Sequence, residues 1–254
     1  MLSTPIAYIV LMATWLPSLA QATPRPDRSP RRIIAGVSVV DTPIVRAAQQ
    51  FARDHSDDQL YNHVMRAWLW GALILKHNET LRASVDEEVQ AIALVLHDLG
   101  AGRPNNTFAS PDRRFEVDGA IAARSFIRAH RDGRHWDERR VQLVWDAIAF
   151  HSEPRYALFK EPDVVAAYHG NNQDFSEPRL GVTEAEYAAV LAEFPKSAQR
   201  DTVIEGISWL CRNKPETTYD TFMQPFGEQF VPGYSAVGHR VIDGVLAGYV
   251  ENET

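Results

Sequence analysis

An all-α fold in one domain is predicted by three features of the 254-residue chain. Apolar residues recur at helical spacing from about residue 41 onward. No segment shows a persuasive alternation of apolar and polar residues, the mark of a half-buried strand. The breaks between apolar stretches carry Gly, Pro, Asn and Asp. The length is ample for a hydrophobic core, and no internal repeat is visible.

The elements follow in order. Asp41-Thr42-Pro43 reads as a helix start, with a capping residue and then Pro in the first turn. Ile44, Val45, Ala48, Phe51 and Ala52 continue it at helical spacing. A second helix, rich in Ala, Leu and Trp, spans 60–75, with Trp68 and Trp70 as core residues. A third spans 86–96, with Glu87 and Glu88 in the first turn, where the helix dipole favours anions. A fourth covers 116–130. A fifth covers 137–150, with Val141, Val144, Trp145, Ile148 and Ala149 as its apolar stripe. A sixth is expected at 162–169. Thr183-Glu184-Ala185-Glu186 opens a seventh that runs through 187–194. An eighth spans 197–211, and a last short one 237–249. The long polar loop 100–114 follows the third helix directly and reads as a lid or binding element.

Bulk properties exclude some functions. The formal net charge is −7, and the basic residues form no footprint for nucleic acid. A small-molecule substrate is the expected partner, with homo-oligomerisation left open. The single cysteine, Cys211, rules out an intramolecular disulfide and reads as a buried structural thiol. Residues 1–22 read as a signal peptide: a short apolar run at 6–16, then Ala20-Gln21-Ala22, the small-x-small pattern of a cleavage site. Secretion without stable membrane association is expected after cleavage. The n-region lacks Lys and Arg, and an uncleaved N-terminal anchor is the alternative. Residues 23–32 read as a disordered Pro- and Arg-rich linker, and 33–254 as the folded domain. Only in a eukaryotic secretory pathway would the sequons at Asn78, Asn105 and Asn252 become glycosylation sites.

The chemistry concentrates at His97-Asp98, which ends the apolar run Ala91-Ile92-Ala93-Leu94-Val95-Leu96. Burying an unpaired Asp behind such a helix is costly. His63 lies one helix earlier, and His151 and Asp174 lie further along. Imidazole and carboxylate donors from separate parts of a fold suit a divalent transition ion. Adjacent helical residues point about 100° apart, so His97 and Asp98 share an ion only beside the helix end. Leu99-Gly100-Ala101-Gly102 provides the turn.

His63, His97-Asp98 and a later Asp resemble the signature of the HD-domain superfamily of metal-dependent phosphohydrolases and related enzymes, over roughly residues 45–235. Arg113-Arg114-Phe115-Glu116-Val117-Asp118-Gly119-Ala120, the run Val144 to His151, Lys214-Pro215-Glu216-Thr217 and Val231-Pro232-Gly233 are similar to the cyanamide hydratase-like branch. The resemblance implies a helical core around one ion held by His63, His97, Asp98 and Asp174, with Asp163 as the competitor for the last position. Zn is the first choice of ion, with Fe, Mn, Co or Ni as alternatives. It implies a hydratase (a lyase) or hydrolase that acts through a metal-activated water. His151 and Glu116 are the choices for moving the proton, and Asn62 and Arg66 for binding substrate. Glu116 also fits as a complement to its helix dipole, His151 as a further ligand, and Arg66 as an ion-pair partner of Asp98 or another acid. The helix end before His151 is expected to favour its charged form.

Two departures count against phosphoester chemistry. The Lys that many HD phosphohydrolases carry after the pair is absent, and Arg103 substitutes only if the loop folds back. The extra His of dinuclear members is replaced by Phe115 or Glu116. A phosphohydrolase of nucleotides or phosphoesters is the second reading, and a non-catalytic HD-fold protein the third.

Overall fold

The computed structural model describes residues 29–250. The expected signal peptide, most of the expected linker and the Asn252 sequon lie outside them. Among the described residues the fold is helical, with one two-stranded sheet. Its helices are α1 (Pro43–Asp54), α2 (Asp58–His77), α3 (Glu79–Arg82), α4 (Glu87–Leu96), α5 (Phe115–Ala129) and α6 (Glu138–Ala149). Then follow α7 (Pro154–Ala157), α8 (Pro162–Gln173), α9 (Glu184–Glu193), α10 (Gln199–Asn213), α11 (Gln224–Phe230) and α12 (Val241–Val250). No helix among the described residues is long and apolar enough to cross a membrane.

The hairpin departs from expectation. β1 (Arg31–Ile34) pairs antiparallel with β2 (Val37–Val40), Arg31 opposite Val40. Arg31 and Arg32, assigned to the linker, therefore begin the folded part. They pair with Glu87 at 2.9 Å and Asp41 at 3.2 Å. Ala35 (φ 47°) and Gly36 (φ 76°) make the tight turn. Both central residues take the left-handed conformation that a two-residue hairpin requires.

α4 is the central helix. It packs against α1, α2, α5, α6, α8 and β2. Every residue from Val89 to Leu96 is buried, so its apolar character all round is what its surroundings require. Asp86 caps its start, accepting from the amides of Glu88 and Val89. α2 lies along α8 at close range. A Cβ on Gly170 would sit 2.8 Å from the Ala67 carbonyl oxygen and 3.0 Å from the Cα of Gly71. That approach explains a glycine inside α8, which runs four residues beyond the expected 162–169. Trp68 and Trp70 are buried in the core, as read from the sequence. Cys211 is buried too, in a smaller cluster with Phe115, Leu210, Met223 and Val231.

Candidate metal centre

Two helix ends set the site. The last carbonyls of a helix have no partner within it. His97 follows the end of α4 and donates Nδ1–H to the Leu94 carbonyl at 2.7 Å. His151 follows the end of α6 and makes the same bond to Ile148, at 2.7 Å. A carbonyl oxygen only accepts, so each Nδ1 holds the proton and each Nε2 presents a lone pair. His63, on the second turn of α2, has its Nδ1 2.7 Å from Asp174 Oδ2, which fixes the same tautomer.

The three Nε2 atoms converge on Asp98. His63 Nε2 lies 3.2 Å from His97 Nε2. Asp98 Oδ2 is 3.5 Å from the former and 3.4 Å from the latter. Asp98 Oδ1 is 3.7 Å from His151 Nε2. The donor atoms of His63, His97 and Asp98 all lie within 4.8 Å of one another, a group able to hold a metal ion. Two imidazole nitrogens 3.2 Å apart, beside a carboxylate, favour a positive charge between them, a proton or a metal ion. The electrostatics agree. Burial opposes charge on His97, yet Asp98 outweighs it and raises the pKa. Burial would raise the pKa of Asp98 as well, but His97, His63 and His151 hold it far below the usual carboxylate range.

Asp174 stands behind His63, on the side of the ring away from Asp98. Its oxygens accept from Arg66 Nε (2.7 Å) and Nη2 (2.8 Å), Trp70 Nε1 (3.2 Å) and Gln199 Nε2 (2.8 Å). Burial opposes its charge, but hydrogen bonds from His63 and Arg66 lower its pKa far below normal. The carboxylate thus orients the imidazole, and His63, His97 and Asp98 converge without it. Asp163 lies at the opposite end of α4, accepting from the Asp86 amide at 2.8 Å, and is out of reach of the group.

The substrate-binding reading of Arg66 is corrected. Arg66 is 1 % exposed and is committed to Asp174, not Asp98, and to the carbonyls of Phe194 and Pro195. Asn62 is not among the residues that line the cavity beside the group. Glu116 is buried behind His151. It accepts from Ser152 Oγ and from Arg114, and it does not line the cavity either. The expected charging of His151 is also corrected. Burial and the neighbouring His97 push its pKa down to about 4, outweighing the helix end.

The cavity has a volume of about 780 Å³ and reaches His63, Asp98 and His151. α10, α11 and the segment 220–222 form its far wall. The loop after α4 folds back, so that Ala101, Gly102 and Arg103 line it. Arg103 donates Nη2–H to the His55 carbonyl, and its buried Nη1 has no hydrogen-bond partner. Two residues of the site went unread in the sequence. Gln199 bridges the cavity wall to Asp174. Asn171 donates to the His151 carbonyl at 3.5 Å and keeps a buried, unpartnered Oδ1. Asn171 lies past the expected helix end at 169, where its place on α8 is not readable; Gln199 carries no local signal. No family model and no curated protein matches the chain.

Proposed function

We propose that the chain is a metal-dependent enzyme of the HD-domain type, a hydratase or hydrolase of an uncharged small molecule. The observation that carries this is the convergence of His63 Nε2, His97 Nε2 and Asp98 Oδ2 at the head of a cavity. The donor set of two imidazoles and a carboxylate suits Zn, and Fe, Mn, Co or Ni are accepted by the same chemistry. Bound there, the ion supplies Lewis acidity and a water of lowered pKa.

The chain's own residues do the rest. Asp174 and the carbonyls of Leu94 and Ile148 keep three imidazoles in the tautomer that faces the centre. His151 presents Nε2 as a lone pair beside Asp98 Oδ1, so it accepts a proton or joins as a further ligand. Phe115 packs edge-on against His151 at 5.5 Å, and Phe175 lies tilted against His63 at 5.5 Å, so each ring has an aromatic neighbour beside the centre.

A phosphohydrolase is the second reading. Arg103, folded back into the cavity wall, is the observation that favours it. A product assay separates the two. Zinc-loaded protein is incubated with a series of nitriles and amides, cyanamide included, and with nucleotides and phosphoesters. Hydration or amide-hydrolysis products that vanish in His97→Ala are expected. Phosphate release, with no turnover of nitriles or amides, would replace the first reading by the second. Metal-replete protein inert toward both classes would leave the non-catalytic reading.

A further inference from the structure

We infer that the cavity takes a molecule with an apolar, ring-bearing body and no net negative charge, its polar end at the His63–His97–Asp98 group. The reactive-end assignment rests on the metal reading; the rest stands on the cavity itself.

Size comes first. Ligand sites span roughly 300–1,000 Å³, and this one, at about 780 Å³, lies in the upper part of that range. One water occupies about 30 Å³ in the liquid. Cyanamide, with two nitrogens and one carbon, would leave most of the volume to solvent. The wall comes second. Phe115, Phe175, Ile207, Leu210, Phe222 and Phe226 face the space. Phe175 is 56 % exposed and Phe222 40 %, so a bound apolar body removes aromatic surface from water. Phe175 also abuts His63, one member of the donor group, which places ring-binding surface directly beside the reacting end.

Charge comes third. Among the described residues Asp57, Asp98, Glu153 and Asp220 contribute carboxylates to the lining. The cations there are Arg155, paired with Glu153 at 2.6 Å, and Arg103, bonded to the His55 carbonyl. Without an ion a phosphate dianion entering this space meets four carboxylates against two guanidiniums, and a bound divalent ion only evens that count, so the lining supplies no net positive charge to hold a dianion. An uncharged ligand needs no such charge.

Calorimetric titration of the full chain tests this with three probes: phenylacetonitrile, cyanamide and adenosine monophosphate. Each is titrated into zinc-loaded and chelator-treated protein. Phenylacetonitrile is expected to bind saturably, about tenfold or more tighter than the other two. Val203→Trp fills the cavity from α10 and should weaken that binding about tenfold at unchanged metal content. If that variant does not fold, Phe222→Ala, on the rim, should weaken it roughly threefold. Tighter binding of adenosine monophosphate, equal binding of cyanamide, or indifference to the folded variant would overturn the inference. Nitrile bound by a chain that takes up no zinc would sink the metal reading and leave this one standing. Zinc bound without nitrile affinity would do the reverse.

Discussion

The bundle around α4 and the C-terminal part built from α10 to α12 solve different problems. In the bundle, α2, α4, α6 and α8 bury nearly continuous apolar surface: Leu69, Trp70, Ile92, Leu96, Val144 and Val164 are each fully buried. The side chains that could hold an ion sit at or near the ends of these helices, His63 on the second turn of α2 and His97 and Asp98 just past α4. The C-terminal part has a small core, in which Leu210, Cys211, Met223 and Val231 pack with Phe115 of α5. It leaves Val241, Leu246 and Tyr249 of α12 exposed. A buried ion pair, Lys214 to Asp118 at 2.9 Å, ties it to α5. The rigid region thus holds the donors, where small displacements cost most. The thinner region supplies the apolar wall, where shape can vary without disturbing the centre.

The largest expected effect lies where the two regions meet the site. A Cβ on Gly100 would lie 2.1 Å from the Phe115 carbonyl oxygen and 2.9 Å from Asp118 Cβ. Gly100→Val therefore forces the turn after Asp98 away from α5. It should cost about 3 kcal/mol or more and abolish metal uptake; an unfolding curve and a metal assay check both. Retained uptake would show that the turn does not position Asp98.

A matched pair of truncations sharpens the comparison itself. Leu94→Ala, in the centre of the bundle, should cost about 3–4 kcal/mol in urea unfolding, because its neighbours cannot collapse into the gap. Leu210→Ala, in the small cluster and beside the cavity, should cost about 2 kcal/mol. Equal losses would erase the distinction between a rigid frame and a yielding wall.

The smallest effect is at α9, outside both regions. Glu186 completes a capping box with Thr183 and also meets Lys76 at 2.7 Å and His77 at 2.9 Å. Burial pulls its pKa upward, but these donors bring it down to about 2, from 4.5. A carboxylate with a lowered folded pKa contributes stability above its unfolded pKa and loses it as pH falls through the folded one. Glu186→Gln should cost about 0.5–1 kcal/mol at neutral pH. The gap to the wild type should shrink below pH 4.5 and close near pH 2. A gap independent of pH would assign the effect to shape instead of charge.

Much of this was legible in the residues, for reasons that also explain the misses. α4 declared itself because a helix surrounded on all sides must be apolar on all sides, and His97-Asp98 stood out against that run. The helical starts at Asp57, Asp86, Asp137 and Thr183 carry side-chain caps, and three of the four lay within a residue of the expected starts. The hairpin was missed because Ala35-Gly36 lacks the usual Asn-Gly signal and its strands are four residues long. Asp174 was placed in the expected ligand set, but what lies behind a ring is a matter of rotation. Gly170-Asn171-Asn172 lies past the expected helix end at 169, yet α8 continues through it because Gly170 fits against α2. That added turn brings the Asp174 carboxylate to His63 Nδ1 and Arg66. Arg66 lies one turn along α2 from His63, a position open to substrate or to an acid; only the path of α8 decides which.

The central claim is that His63, His97 and Asp98 grip one divalent ion. Elemental analysis of the purified, dialysed chain beside His97→Ala tests it most directly. The account predicts one equivalent of a transition metal, zinc first, in the wild type and less than about a tenth of that in the variant. Wild-type protein free of metal, taking up none on incubation with zinc and unfolding at the same temperature with or without chelator, would contradict it.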